Sequence, residues 1–393
     1  MLARDIFIAG AVRTPIGKFG GSLAHLSAVE LGGMAARAAL ERTGIQPQEI
    51  GDTFIGHGRQ AGCGPNPARQ IAVRAGVPES VPAMTVNQAC ASGLRAIALA
   101  AQAAGVGEGE VFLAGGTESM SNTPYLLPRA RWGYRLGNDE LVDAMYRDGF
   151  DCPIANQRMG ATAENLVDEY GISREEQDRY ALQSQQRAAS ARDRLREEMT
   201  PVTLTDRTGQ TVAFATDEHV RPNVTLDGLT KLPPVFKDGG TVHAGNSSGI
   251  TDGAAAAVVL TPSAAQRLNV EPMARIVAHA NVGVDARRMG IGPVKAVRSL
   301  LETAGLTLDD IDLLELNEAF AAQVLACHRE LGFDMDKTNV NGGAIALGHP
   351  IGCSGARIVV TLLHEMRRRS ARYGIATLCV SGGMGMAMLF ERL

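Results

Sequence analysis

The sequence predicts an α/β protein built from two similar halves, and three observations carry that expectation. Cys90-Ala91-Ser92-Gly93-Leu94-Arg95-Ala96-Ile97 resembles a later segment, Gly352-Cys353-Ser354-Gly355-Ala356-Arg357-Ile358-Val359, and both open an apolar helix with Ser-Gly-x-Arg. Each is followed by an apolar strand running into glycines, Val111-Phe112-Leu113-Ala114-Gly115-Gly116 in one case and Thr377-Leu378-Cys379-Val380-Ser381-Gly382-Gly383 in the other. Glycine is abundant, at 45 of 393 residues, which suits an α/β chain with many tight loops. Two such halves would bring two helix N-termini and two glycine loops to one central site.

The elements follow in order. A strand is expected over Ile6 to Val12, then a turn at Thr14-Pro15-Ile16-Gly17, a helix over Ala28 to Thr43 and a strand over Asp52 to Gly56. Gly56-His57-Gly58-Arg59-Gln60-Ala61 formally matches a dinucleotide-binding fingerprint, but Gly64-Pro65-Asn66-Pro67 stands where that motif needs its helix, so it is read as a loop. Met84-Thr85-Val86 is a short strand and Ala91 to Ala104 an apolar helix. Residues 121–250 are richer in charge, with Pro124, Pro128 and a polar helix over Arg174 to Glu197 whose charges read as a solvated face. Ala254 to Leu260 is a buried strand. Beyond Pro272, helices over Pro293 to Ala304 and Ala319 to Leu331 flank a strand over Ile311 to Leu316.

Composition excludes several classes. A net charge of −4 without a long basic block argues against nucleic acid as a partner. The six cysteines form no Cys-x-x-Cys pair, so a zinc ribbon or thioredoxin-like site is unsupported and no metal is expected. The apolar run after Asp5 meets Arg13 and Pro15, unlike a secretory signal, and no apolar stretch is expected to span a membrane. The thiols are therefore expected to be reduced and the protein cytoplasmic.

Cys90 carries the most chemistry. It lies at a strand-to-helix junction, where unpaired backbone N–H groups and the helix dipole favour thiolate over thiol. Ala91, Ser92 and Gly93 leave room for an acyl group beside the sulfur. Gly348-His349-Pro350 supplies a candidate base, and Cys379 a second thiol. Each also has a plainer reading: Cys90 and Cys379 as core thiols, His349 as a turn residue, Asn317 as a helix cap and Glu318 as a first-turn acid. Cys353 stands at the matching helix start of the second half.

Five stretches together resemble the thiolase family over essentially the whole length: Asn87 to Leu94, Asn317-Glu318-Ala319-Phe320-Ala321, Asn341 to Pro350, Cys379 to Gly385, and Thr241-Val242-His243-Ala244-Gly245-Asn246-Ser247-Ser248-Gly249. The last is similar to the coenzyme A loop of the acetoacetyl-CoA type. The resemblance implies two βαβαβ-type halves in a five-layered αβαβα arrangement. The first would be 1–120 completed by 251–271, the second 272–393, with 121–250 an inserted loop domain that carries coenzyme A.

It also implies roles. Cys90 would be the acylated nucleophile, which implies a structural Cys353, with His349 the base and Cys379 the group that moves the α-carbon proton. Asn317 would hold a water beside His349 at the enolate oxygen, and the backbone N–H groups of Cys90 and Ser381 would form a second oxyanion hole. Arg221 would face the coenzyme A nucleotide end, Ala244 and Ser248 would line the pantetheine tunnel, and Met159, Phe236, Met289 and Phe320 would wall the acyl end. Coenzyme A and acyl-CoA would be substrates, with no further cofactor and a homodimer or homotetramer as the assembly. Two positions depart from the family pattern: Ser381 stands at the first of three usual glycines, and Arg158 stands where the acetoacetyl type has His before Met-Gly. The implied activity is acetyl-CoA C-acetyltransferase. A broader 3-ketoacyl-CoA thiolase, a ketosynthase-like condensing enzyme and a non-catalytic acyl-CoA-binding protein are the alternatives.

Overall fold

The computed structural model describes residues 4–205 and 209–393. The first half contributes β1 (Ile6–Arg13), α1 (Ala28–Thr43), β2 (Asp52–Gly56), β3 (Ala83–Val86), α2 (Ser92–Val106) and β4 (Val111–Ser119). Helix α1 starts where the sequence dictates: Ser27 and Glu30 exchange side-chain and backbone hydrogen bonds in a capping box, and Gly44 ends the helix at φ 70°. Helices α3 (Met159–Tyr170) and α4 (Arg174–Ser190) follow in the charge-rich segment. Then come β5 (Thr251–Leu260), β6 (Ala274–Gly283), α5 (Gly292–Ala304), β7 (Leu313–Leu316), α6 (Ala321–Leu331), α7 (Ile351–Arg369), β8 (Tyr373–Val380) and β9 (Met384–Glu391).

The strands join in the order β7-β8-β9-β6-β1-β5-β4-β2-β3, with the two-residue strand Gly17–Lys18 paired to β5. Read outward from the centre, the two halves mirror each other, and antiparallel pairing of Ile6 with Ile276 and Ile8 with Ala274 stitches them together. Strand alternation then builds the layers. Ala255, Ala257 and Val259 of β5 face a core shared with α2 and α7, while Ala254, Ala256 and Val258 face α1. In β9, Met386, Met388 and Phe390 face the same shared core, and Ala387 and Leu389 face α5 and α6. Outer helices, sheet, central helices, sheet and outer helices are the five expected layers.

The internal repeat explains the middle layer. Helices α2 and α7 cross at its two glycines: a Cβ on Gly93 would lie 2.7 Å from the Ala356 nitrogen, and one on Gly355 would lie 2.4 Å from the Leu94 nitrogen. Only hydrogen fits at this backbone contact.

Three expectations need correction. The polar helix over Arg174 to Glu197 is two helices, broken at Ala191 (φ −91°, ψ 6°), which carries no side-chain cap. The helix expected from Ala319 begins at Ala321, because Phe320 is extended and bridges Ser247 while the Ala319 carbonyl accepts the Ser248 N–H. Ala89–Val106 is long and apolar enough to cross a membrane by length and composition, with mean hydropathy 1.3. It is the central helix, apolar because other helices and sheet faces surround it.

Candidate active site

Cys90 sits in a single 3₁₀ turn, Ala89–Ala91, between β3 and α2. Ala89 before it takes φ 45°, left-handed backbone that a non-glycine residue adopts only when held there. Two side chains hold it. Asn87 Oδ1 accepts the Ala89 N–H at 3.0 Å, and Ser92 Oγ accepts the Gln88 N–H while donating to the Ala89 carbonyl at 2.7 Å. The turn aims the thiol into a cavity instead of along the strand.

His349 comes from the second half. It follows Gly348, whose φ of 106° and contact with Thr251 exclude a side chain, and its N–H is tied to the Gly249 carbonyl at 2.9 Å. The buried ring has Ser354 Oγ 2.5 Å from Nδ1 and the Asn317 side-chain nitrogen 3.5 Å from Nε2. Asn317 does not cap a helix, since Phe320 holds that position; it lies behind His349, its Oδ1 buried without a hydrogen-bond partner among the described residues. Glu318 is no first-turn acid either. Its carboxylate accepts from Tyr180, Ser184, Asn339 and the Ile345 N–H, fixing the loop that leads to His349.

Cys379 is the penultimate residue of β8 and 1% exposed. The turn after it carries Gly382 at φ 86° and Gly383 at φ 85°. Ser381 needs no such φ, so the backbone accepts a side chain there, and the N–H groups of Ser381 and of Cys90 itself act on the Cys90 sulfur in the direction of thiolate.

A cavity of about 400 Å³ joins these groups, within the range of roughly 300–1,000 Å³ usual for ligand pockets. Cys90, His349, Cys379 and Ser381 line it, together with Arg221, Ala244, Ser248, Met159, Phe236, Met289 and Phe320; Asn317 is one residue removed from its wall. The cavity is polarised. Arg221 and Ala244 are exposed at its mouth, while Met159, Met289 and Phe320 are buried beside Cys379 at its closed end. Phe236 meets Phe320 edge to face at 6.2 Å, closing the apolar wall.

Family models agree with this arrangement. Residues 6–263 match the N-terminal domain of thiolase and residues 270–392 its C-terminal domain. The chain belongs to the thiolase family. It is 51% identical over 390 residues to the acetyl-CoA acetyltransferase of Cupriavidus necator, covering 99% of both chains, and 51% identical over 393 residues to one from Escherichia coli, covering 99% and 100%. Its fold superposes on the crystal structure of the Bacillus anthracis acetyl-CoA acetyltransferase with a TM-score of 0.97 at 44% identity, over the full length of both chains. Human mitochondrial 3-ketoacyl-CoA thiolase in complex with CoA gives 0.95, also at 44% identity, over 100% of this chain and 99% of that one.

The electrostatics of this thiolase differ from the sequence expectation in one respect. The helix start was expected to favour the Cys90 thiolate. Burial instead pushes the thiol up, and the N–H groups of Ser381 and Cys90 and the Arg59 charge only partly offset it. Burial, with the nearby Cys90, lifts Cys379 well above the usual thiol range. Burial and the charges of Arg59 and Arg357 press His349 down to about 3, so it rests as neutral imidazole. Cys353 is pushed up to about 12 by burial and stays an inert core thiol, as read from sequence.

The sequence reading treated Gly56 to Ala61 as a loop and assigned these residues no work. His57, 1% exposed, meets the fully buried Glu118 at 3.1 Å. Burial opposes the His57 cation, but the neighbouring Cys63 and Glu118 outweigh it and raise its pKa to about 9. The signal that could have found them is a His and an Arg set among glycines at the end of the strand that pairs with the one leading to the nucleophile. Ser354, the His349 partner, was visible only as part of the repeat.

Proposed function

We propose that the chain is an acetyl-CoA C-acetyltransferase, interconverting two acetyl-CoA with acetoacetyl-CoA and CoA through an acyl-Cys90 thioester. The observation that carries this reading is the meeting of Cys90, His349, Cys379 and the Ser381 N–H at the closed end of one cavity with an apolar wall. Relatives bearing the acetyl-CoA acetyltransferase name match over their full length and support it.

In the condensation direction, His349 Nε2 takes the Cys90 proton as the sulfur attacks the first acetyl-CoA carbonyl. The tetrahedral intermediate collapses, the CoA thiolate leaves, and the proton from His349 neutralises it. Cys379, its own proton first released to solvent, then acts as thiolate and removes a proton from the methyl carbon of the second acetyl-CoA. The enolate oxygen accepts hydrogen bonds from His349 and from a water held by Asn317, whose buried Oδ1 is free to orient it. The enolate carbon attacks the acetyl-Cys90 carbonyl, whose oxyanion lies against the N–H groups of Cys90 and Ser381. Cys90 leaves as thiolate, Cys379 is now the thiol, and one proton taken up from solvent returns both sulfurs to the neutral state. Thiolysis is the reverse sequence. Two buried thiols with raised pKa values suit this course, because each becomes anionic only when a bound partner compensates it.

The inserted loop domain, 121–250, supplies the coenzyme A side: Arg221 at the mouth for the nucleotide, Ala244 and Ser248 along the tunnel. A homodimer or homotetramer is proposed on two features. Strand β3 ends the sheet with an edge unpaired among the described residues, and Trp132 (84% exposed) and Leu136 (98% exposed) project from the insertion. The protein is proposed to act in the cytoplasm, in acyl-CoA metabolism.

The test is CoA-dependent loss of acetoacetyl-CoA with wild type and Cys90→Ala side by side. Cleavage abolished by the substitution supports the reading. No cleavage by folded wild type, with longer 3-ketoacyl-CoAs cleaved instead, would replace the substrate assignment.

A further inference from the structure

Arg59 is 6% exposed, yet its guanidinium makes no hydrogen bond or ion pair among the described residues, and its Nε is a buried donor without a partner. A buried cation left unpaired is costly and needs a reason. The carboxylate that acts on it most strongly is unavailable to it. Glu118 already accepts from the Gly58, Arg59 and Gly352 backbone N–H groups at 3.0, 3.1 and 2.8 Å and from His57 Nε2 at 3.1 Å. Those fill the four lone-pair sites of a carboxylate, and His57 balances its charge. The guanidinium instead stacks 5.2 Å from the Phe150 ring centroid. Gly149 makes the space: a Cβ there would come within 1.9 Å of the guanidinium. Arg59, Gly149 and Phe150 all line the cavity that holds Cys90.

We propose that Arg59 is the resident counter-cation of the Cys90 thiolate, a positioning residue that supplies by fixed charge what the neutral His349 imidazole does not. The groups that face Cys90 from its surroundings are Arg59 and Glu118, His57 behind them, His349, and Cys379; Asp148, Arg158, His219 and Arg221 lie further along the cavity wall. Among them His57 and Glu118 cancel, and His349 and Cys379 are neutral at pH 7. Asp143 and Asp148 also act on Arg59, but neither makes an ion pair with it among the described residues, and Arg59 is the cation that acts on the sulfur. Its field acts on Cys90 in the direction of thiolate and on His349 in the direction of neutral imidazole, so it favours negative charge on the sulfur and leaves the resting ring unprotonated.

The proposal rests on Cys90 being the nucleophile, and its test needs no substrate. The rate of Cys90 alkylation by iodoacetamide is followed against pH by peptide mass mapping, with Cys90→Ala as the blank. In Arg59→Met the midpoint should rise by about one unit, an alkylation rate about tenfold lower at pH 7, as expected for loss of an opposite charge acting on the sulfur. Arg59→Lys should restore most of it. An unchanged midpoint in folded Arg59→Met, or equal shifts in the Met and Lys variants, would overturn the proposal. Should Arg59→Met fail to fold, Gly149→Ala displaces the guanidinium without removing it. A raised midpoint there supports the proposal, and an unchanged one refutes it.

Discussion

Ser354 Oγ lies 2.5 Å from His349 Nδ1 and 3.0 Å from the Pro350 carbonyl. A hydroxyl so placed can accept from Nδ1–H while donating to Pro350, or donate to Nδ1 itself. It therefore serves both neutral tautomers, and Nε2 can present a lone pair to Cys90 in one step and a proton to an enolate oxygen in another. The Ser-Gly-x-Arg repeat gives Ser92 a parallel task, locking the Cys90 turn.

Ser354→Ala should therefore cost more than packing. A fall in kcat of about ten- to a hundredfold with KM nearly unchanged is expected, part of the roughly 10²–10⁴ that general acid–base catalysis contributes. Steady-state thiolysis of acetoacetyl-CoA measures it. A change confined to KM would mean that Ser354 shapes substrate binding instead.

Asn317→Ala removes the group assigned to the enolate-side water. The expected loss is on the order of 10²–10³ in kcat, the usual effect of deleting one oxyanion donor. Acylation of Cys90 by acetyl-CoA, read as a mass increase, should persist, because the other oxyanion hole is backbone. Loss of acylation itself would move Asn317 to the first half-reaction.

The His57–Glu118 pair sets a pH window for stability. His57 titrates at about 9 in the folded chain against 6.5 ordinarily, so its contribution is complete below 6.5 and disappears as pH rises through 9. Glu118, held below its ordinary 4.5 despite burial by the His57 hydrogen bond and charge, contributes above 4.5 and loses its contribution as pH falls. Urea midpoints for wild type and His57→Gln should differ most between pH 4.5 and 6.5 and converge above 9. A pH-independent difference would mean that the ring acts by packing alone.

Gly355→Ala puts a Cβ 2.4 Å from the Leu94 backbone nitrogen, where no flexible side chain can yield. Overpacking of about 1–3 kcal/mol is expected, read as a lower thermal midpoint. An unchanged midpoint would show that α2 and α7 can part without cost.

Much of this was legible beforehand, and the exceptions have physical causes. Helix α1 and β2 read correctly to the residue, since cap, period and terminal glycine are all local. Cys90, His349 and Cys379 stood out because glycines and small residues surround them. Asn317 was ambiguous, since cap and catalytic asparagines look alike until the helix start is known. Arg59 stayed hidden because its distinction is a missing partner, and only the fold shows that Glu118 is already saturated. The raised Cys90 thiol was missed for the same reason: the dipole is local, whereas burial comes from both halves.

The most direct test of the central claim is mass mapping of the enzyme after brief exposure to acetyl-CoA, in wild type and Cys379→Ala. The account predicts an acetyl group on Cys90 in both, accumulating in Cys379→Ala, whose carbon–carbon bond chemistry should be lost. Acetyl found on Cys379 or Cys353, or turnover by a chain in which Cys90 never carries it, would contradict the account.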